Sequence, residues 1–307
     1  MSDNLSYLDP EDRLEELAKM ASEHFEAQDL HKAVEYTEEL LKLEELLEPE
    51  EQSFWHNRLG VLYLSVGRLE DALVHLHETL RISRDITGDI SAHSSALNNI
   101  SMIYSNWGEY EKALQYLQQS LKIHQDVQDL RGQATALNNI SSVHLEMKNY
   151  DLALQYLQQS LNILQQIDDR RNEAACLGNI GGVFLRQGDY KKALEYMTKA
   201  REIQEEIGDR MGLASSLHVL ATLSLATRGD TVSYFRYERE AWHLANEVGL
   251  AEAIFEIGQT LGLALCLNGN RKEGLEILNR ALEVGKQMGA PNAKEVAKLI
   301  RQFSSRR

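Results

Sequence analysis

Residues 96–123 read ALNNISMIYSNWGEYEKALQYLQQSLKI, and residues 136–163 read ALNNISSVHLEMKNYDLALQYLQQSLNI. A third version, CLGNIGGVFLRQGDYKKALEYMTKAREI, occupies 176–203. Self-similarity at a fixed 40-residue period marks an array of supersecondary units, each burying its apolar face on its neighbours. Within a copy, Ile100 and Tyr104, Ile140 and His144, and Ile180 and Phe184 stand four residues apart, the spacing of one buried helix face.

Extending this register in both directions gives seven copies, starting near 14, 53, 94, 134, 174, 214 and 255. Position 8 of each copy is small: Ala21, Gly60, Ser101, Ser141, Gly181, Ala221 and Gly262. Position 20 is Ala33, Ala72, Ala113, Ala153, Ala193, Tyr234 and Gly274. Small side chains belong where two helices cross closely, because a longer one would push the axes apart. Gly67, Gly108, Asn149, Gly188, Gly229 and Gly269 break the chain between the two helices of a copy. Asp89, Asp129, Asp169 and Asp209 are placed to cap the next first helix. The first copy fits by pattern only. The sixth is degraded by an extra residue within 227–230 and by Tyr234.

The spacing L-x-x-I-[SG]-x-x-[YHF], then Gly, then Tyr-x-x-Ala, resembles the tetratricopeptide repeat in its 40-residue form. Arrays of this form occur in Pins/LGN polarity scaffolds, kinesin light chains, Rap/PlcR-type peptide receptors and CHAT-associated proteins. The resemblance implies an all-α fold, a right-handed superhelical solenoid of helix-turn-helix repeats. We expect a lead-in over 1–13, the array over 14–290, and a capping helix with a basic tail over 291–307. In that tail Val296, Leu299, Ile300 and Phe303 form the apolar stripe that would cover the last repeat.

Composition narrows the function classes. Net charge is −15, and residues 1–52 alone carry 17 acidic against 4 basic side chains. The tail inverts this, with Lys294, Lys298, Arg301, Arg306 and Arg307 against Glu295. No face is lined by Lys and Arg, so nucleic acid is not an expected partner. No apolar run approaches the ~18 residues of a membrane span, so neither is a membrane. The acidic start is unlike a secretory signal, and the two cysteines, Cys176 and Cys266, read as buried thiols; the expected location is the cytoplasm. Nucleotide-binding loops, H-E-x-x-H and C-x-x-C are missing from the sequence, and His75 and His77 diverge on a helix. The glycines at 178, 181 and 182 read as close helix packing. No catalytic residue, metal ligand or cofactor is expected.

In the tetratricopeptide family the first, or A, helices line the concave surface, through positions 2, 5, 6, 9 and 13. Here those positions carry Asn98, Asn99, Asn138, Asn139 and Asn179 in successive copies. Asparagine is a mediocre helix former, and one carboxamide offers the donor and acceptor that grip a peptide unit. We therefore expect a non-catalytic interaction adaptor that binds an extended segment of a partner protein along this row. Arg58, Met102, Ser142 and Arg186 would add side-chain preference. The groove cations Lys19, Arg58 and Arg186 are isolated, unlike a carboxylate clamp. Two alternatives stay open: a sensor or inhibitory module regulating an effector, a transcription regulator or a CHAT-type protease, in trans, and an oligomeric scaffold assembled head-to-tail by weak self-association of the acidic start with the basic end of another copy. Tyr116, Tyr156, Tyr196 and Tyr237 recur on the second, or B, helices and are expected to shield repeat junctions.

Overall fold

The computed structural model describes residues 8–27 and 29–305, and among these the regular structure is helical throughout. The chain divides into two compact units, Met1–Tyr156 and Leu157–Arg307, with the division inside one helix. The first unit holds the pairs α1 (Pro10–Glu26) with α2 (Leu30–Leu41), α3 (Pro49–Ser65) with α4 (Leu69–Ile82), and α5 (Ile90–Asn106) with α6 (Tyr110–Asp126). It also holds α7 (Leu130–Glu146) and the first part of α8 (Tyr150–Gln166). The second unit holds α9 (Arg170–Gln187) with α10 (Tyr190–Ile207), α11 (Arg210–Arg228) with α12 (Thr231–Val248), and α13 (Ala251–Leu267) with α14 (Arg271–Gln287). It closes with α15 (Ala293–Ser305).

The repeat chemistry acts as its residue types dictate. Carboxylates of Asp89, Asp129, Asp169 and Asp209 accept from backbone amides in the first turns of α5, α7, α9 and α11, pairing donors a helix start leaves open. Asp9 caps α1 in the same way, so the first helix starts at Pro10, inside the stretch expected to be a lead-in. The helix crossings fall at positions 8 and 20. A Cβ built on Gly262 would lie 2.9 Å from the Gly274 carbonyl oxygen, and one on Gly181 3.4 Å from that of Ala193.

One turn departs from expectation. The left-handed residue that breaks α7 from α8 is Lys148, at φ 61°, and not Asn149; Gln128 and Asp168 take the same conformation between repeats. The other turns from α3 onward use glycine, which adopts positive φ without a Cβ clash.

Three of the four B-helix tyrosines stack within their own repeat, and Tyr116 also meets the edge of His77 across a repeat junction. Tyr116 stacks on Tyr104, Tyr156 on His144 and Tyr196 on Phe184, with ring centroids 5.4–5.5 Å apart. Each stack ties the two helices of a single repeat. In the second unit α15 covers the end of the core: Val296 and Phe303 are buried with Phe255, Cys266, Leu278 and Ala281. The first repeat packs in a separate cluster, Leu17, Ala21, Tyr36, Leu40 and Leu47, which Trp55 of α3 in the second repeat completes. Among the described residues no helix is long and apolar enough to cross a membrane.

Candidate functional site: the shared face of the A helices

In each unit consecutive A helices abut, α3 on α5 and α5 on α7 in the first, α9 on α11 and α11 on α13 in the second. This contact brings equivalent positions of neighbouring repeats side by side. Asn99 on α5 donates through Nδ2 to Asn57 Oδ1 on α3 at 3.4 Å, and Asn57 Nδ2 donates to Ser95 Oγ at 3.4 Å. Part of the asparagine row therefore links repeats, through long bonds. Asn98, Asn99, Asn138 and Asn139 are all half-buried on α5 and α7. The Asn98 Oδ1 atom is buried with no hydrogen-bond partner. Met102, one turn along, is 47% exposed, and Ser142 Oγ is turned back onto the Asn138 carbonyl at 3.2 Å.

Asn179 and Arg186 lie exposed on α9, in the second unit. Both, like Asn138, already have partners within the chain. Arg58 is placed differently from a solvated groove cation. Its guanidinium lies 4.3 Å from the centroid of the Phe25 ring, with Trp55 at 5.5 Å and Phe54 at 5.7 Å, and its Nε is buried without a hydrogen bond. Burial lowers its pKa, against the charge of Glu26. A cation over ring faces is held by the ring quadrupoles.

Two clusters escape a reading of groove positions alone. His56 Nδ1 lies 2.8 Å from His75 Nδ1, so a single proton serves both atoms, and His56 Nε2 lies 3.1 Å from Glu44 Oε2. Burial, and then the neighbouring His56, hold the His75 pKa below the usual histidine range. In the second unit His218 Nδ1 lies 3.0 Å from both carboxylate oxygens of Glu238, and Thr260 Oγ1 lies 3.3 Å from one of them. Burial pulls the His218 pKa down, but the hydrogen bond and charge of Glu238 override it and raise the imidazole above its ordinary value. The signal for this cluster was in the sequence: four residues after position 20 the array carries Thr37, Leu76, Leu117, Leu157, Met197, Glu238 and Leu278. Only the sixth repeat places a charge there. Cys176 and Cys266 are buried and unpaired, and burial pushes the Cys176 thiol up to about 11. Among the described residues no three His, Cys, Asp or Glu side chains converge in a metal-binding arrangement.

No curated protein matches the chain in sequence. Its similarity to solved structures is extensive. The apo form of RapI is 18% identical, with a TM-score of 0.65 over 90% of this chain and 98% of that one. A Rap protein complexed with competence and sporulation factor is 15% identical, with a TM-score of 0.62 over 92% and 84%. The Rap conjugation gene regulator of the plasmid pLS20, in complex with the Phr* peptide, is 14% identical, with a TM-score of 0.62 over 95% and 80%. Likeness at such identities establishes a shared fold. The tetratricopeptide repeat family itself matches residues 50–126, 132–206 and 179–232, most of the array including its three most regular copies. With the small residues at the helix crossings and the aspartate caps between repeats, this places the chain in the tetratricopeptide repeat family.

Proposed function

We propose that the chain is a non-catalytic interaction module that binds an extended peptide segment on the shared face of its A helices. On the first unit, taken by itself, Asn98, Asn99, Asn138 and Asn139 would bond a peptide backbone; on the second, taken by itself, Asn179 would do so. Arg58, Met102, Ser142 and Arg186 would set side-chain preference. The observation that carries this reading is Asn98 Oδ1, a buried acceptor without a partner on the A helix α5. An unmade bond at a buried group costs about 1–3 kcal/mol, which a peptide N–H would recover. One similar structure, the pLS20 regulator, holds a peptide, and that supports the same reading. Because that protein is a regulator, a sensor acting on an effector in trans is the second reading.

The test begins by selecting 12-residue peptides from a displayed random library on the full chain. Affinity of the selected peptide is then measured by fluorescence anisotropy beside thermal melting. Asn99→Ala with Asn139→Ala should weaken binding about tenfold or more, since each bond contributes about 0.5–1.5 kcal/mol and 1.4 kcal/mol is one decade. Melting should barely move, because the Asn99–Asn57 bond is long at 3.4 Å. Lost stability with unchanged affinity would make the asparagines structural and end this reading.

A further inference from the structure

Glu238 occupies a core position. Its side chain is 1% exposed, at the register where Leu76, Leu117, Leu157 and Leu278 are buried in other repeats. The fold does not require a carboxylate there, since the other repeats pack the same position with leucine, methionine or, in the first, threonine. Burying a charge is costly unless it is paired and hydrogen-bonded, and two apolar exchanges would remove the cost. Both partners that satisfy it lie on the A-helix face: His218 at position 5 of the sixth repeat and Thr260 at position 6 of the seventh. His218 is 25% exposed in its side chain, and its Nε2 takes part in no hydrogen bond among the described residues. The charges acting on His218 are those of Glu238 on α12 and of the exposed Glu256 on α13. Two carboxylates against one imidazole leave this part of the face negative whether or not the ring is protonated.

We infer that the face between α11 and α13 is a seat for a basic group of the bound peptide, a lysine or arginine side chain or the amino terminus. In the bound state the imidazole is neutral: the incoming cation displaces the Nε2 proton to solvent, Nε2 accepts a hydrogen bond from the cation, and Nδ1–H donates to Glu238. The buried carboxylate fixes the ring's orientation and tautomer and supplies negative charge in a medium where it is weakly screened. Glu256 meets the cation from the solvent side. Glu238 itself does not touch the ligand and is a positioning residue. The inference rests on the peptide-binding reading above and adds to it the chemistry of one subsite.

The experiment repeats the library selection with wild type, Glu238→Leu and Glu238→Gln. Glu238→Leu restores the residue type of four of the other repeats; Glu238→Gln is near-isosteric and removes only the charge. Wild type should enrich Lys or Arg at one position. Replacing that residue with norleucine in a selected peptide should weaken binding about tenfold. Both variants should lose the enrichment, and the norleucine exchange should then make less than a twofold difference. Glu238→Leu should melt no lower than wild type, the mark of a residue the fold does not need. Enrichment of Lys or Arg that persists in both variants overturns the inference and leaves the asparagine face intact. Selected peptides with no basic preference do the same. If wild type enriches no peptide at all, the peptide-binding reading falls and takes this subsite with it.

Discussion

The third repeat and the sixth are cut from one pattern and differ at each position that joins their helices. In the third, Ala113 keeps the crossing close, Leu117 fills the core, Tyr104 stacks on Tyr116, and Asn98 and Asn99 stand on the A-helix face. In the sixth, Tyr234 replaces the small residue, Glu238 replaces the leucine, Ser224 stands where a ring would stack, and His218 and Val219 hold the face. Tyr234 is half-buried, and burial drives its hydroxyl up to about 12. A core exchange is thus tolerated where neighbouring repeats supply partners: Glu238 draws one from its own A helix and one from the next. Chemistry enters this array from underneath the face, through a B helix, as well as along it.

The largest test of the shared frame is at the crossings. Gly262→Leu should cost about 3 kcal/mol or more, because its Cβ would press on the Gly274 carbonyl, and backbone cannot swing aside. Gly181→Leu should cost about 2 kcal/mol, since its nearest neighbour is the flexible side chain of Met197 at 3.0 Å. Urea unfolding midpoints measure both. Two variants that unfold like wild type would show that positions 8 and 20 do not form the crossing.

The two units should also respond to acid with opposite signs. His75 has a folded pKa below its unfolded value of about 6.5, so the unfolded chain takes the proton first and α3 and α4 lose stability as pH falls below that value. His218 has a raised folded pKa. Its contribution is fully present below about 6.5 and is lost as pH rises through the higher folded value. Hydrogen exchange at pH about 5.5 and about 7.5, corrected for intrinsic rates, should show α3 and α4 less protected at the lower pH and α11 and α12 more. The same sign in both regions would break the comparison.

The smallest effects sit in the turns. Gly108 and Lys148 hold equivalent left-handed positions in the third and fourth repeats. Lys148→Gly, and likewise Gln128→Gly, should raise stability by about 0.5–1 kcal/mol, because a side chain at positive φ is strained by roughly that much. Gly108→Ala should lower it by about 1 kcal/mol for the same reason. Thermal melting of the three single variants decides whether turn strain or turn sequence governs these junctions.

The local features of this protein were legible in its sequence. A 40-residue period, aspartates before helices, small residues at two positions and a terminal apolar stripe are short-range facts, and they led to fifteen helices in successive pairs with a cap among the described residues. The rule that glycine or asparagine marks a turn located the fourth-repeat break within one residue, though backbone geometry placed the left-handed conformation on Lys148. The basic tail residues Arg306 and Arg307 lie outside the described residues. Partnership between helices was legible only in outline. That His56 meets His75, that Tyr116 lies on Tyr104, that Asn99 reaches Asn57 while Asn98 Oδ1 meets nothing, and that Glu238 is held by His218 and Thr260, all depend on how two helices cross. Periodicity determines which side of a helix is buried. Which atoms then meet is decided by crossing angle and register, which arise only when the whole set of side chains packs together.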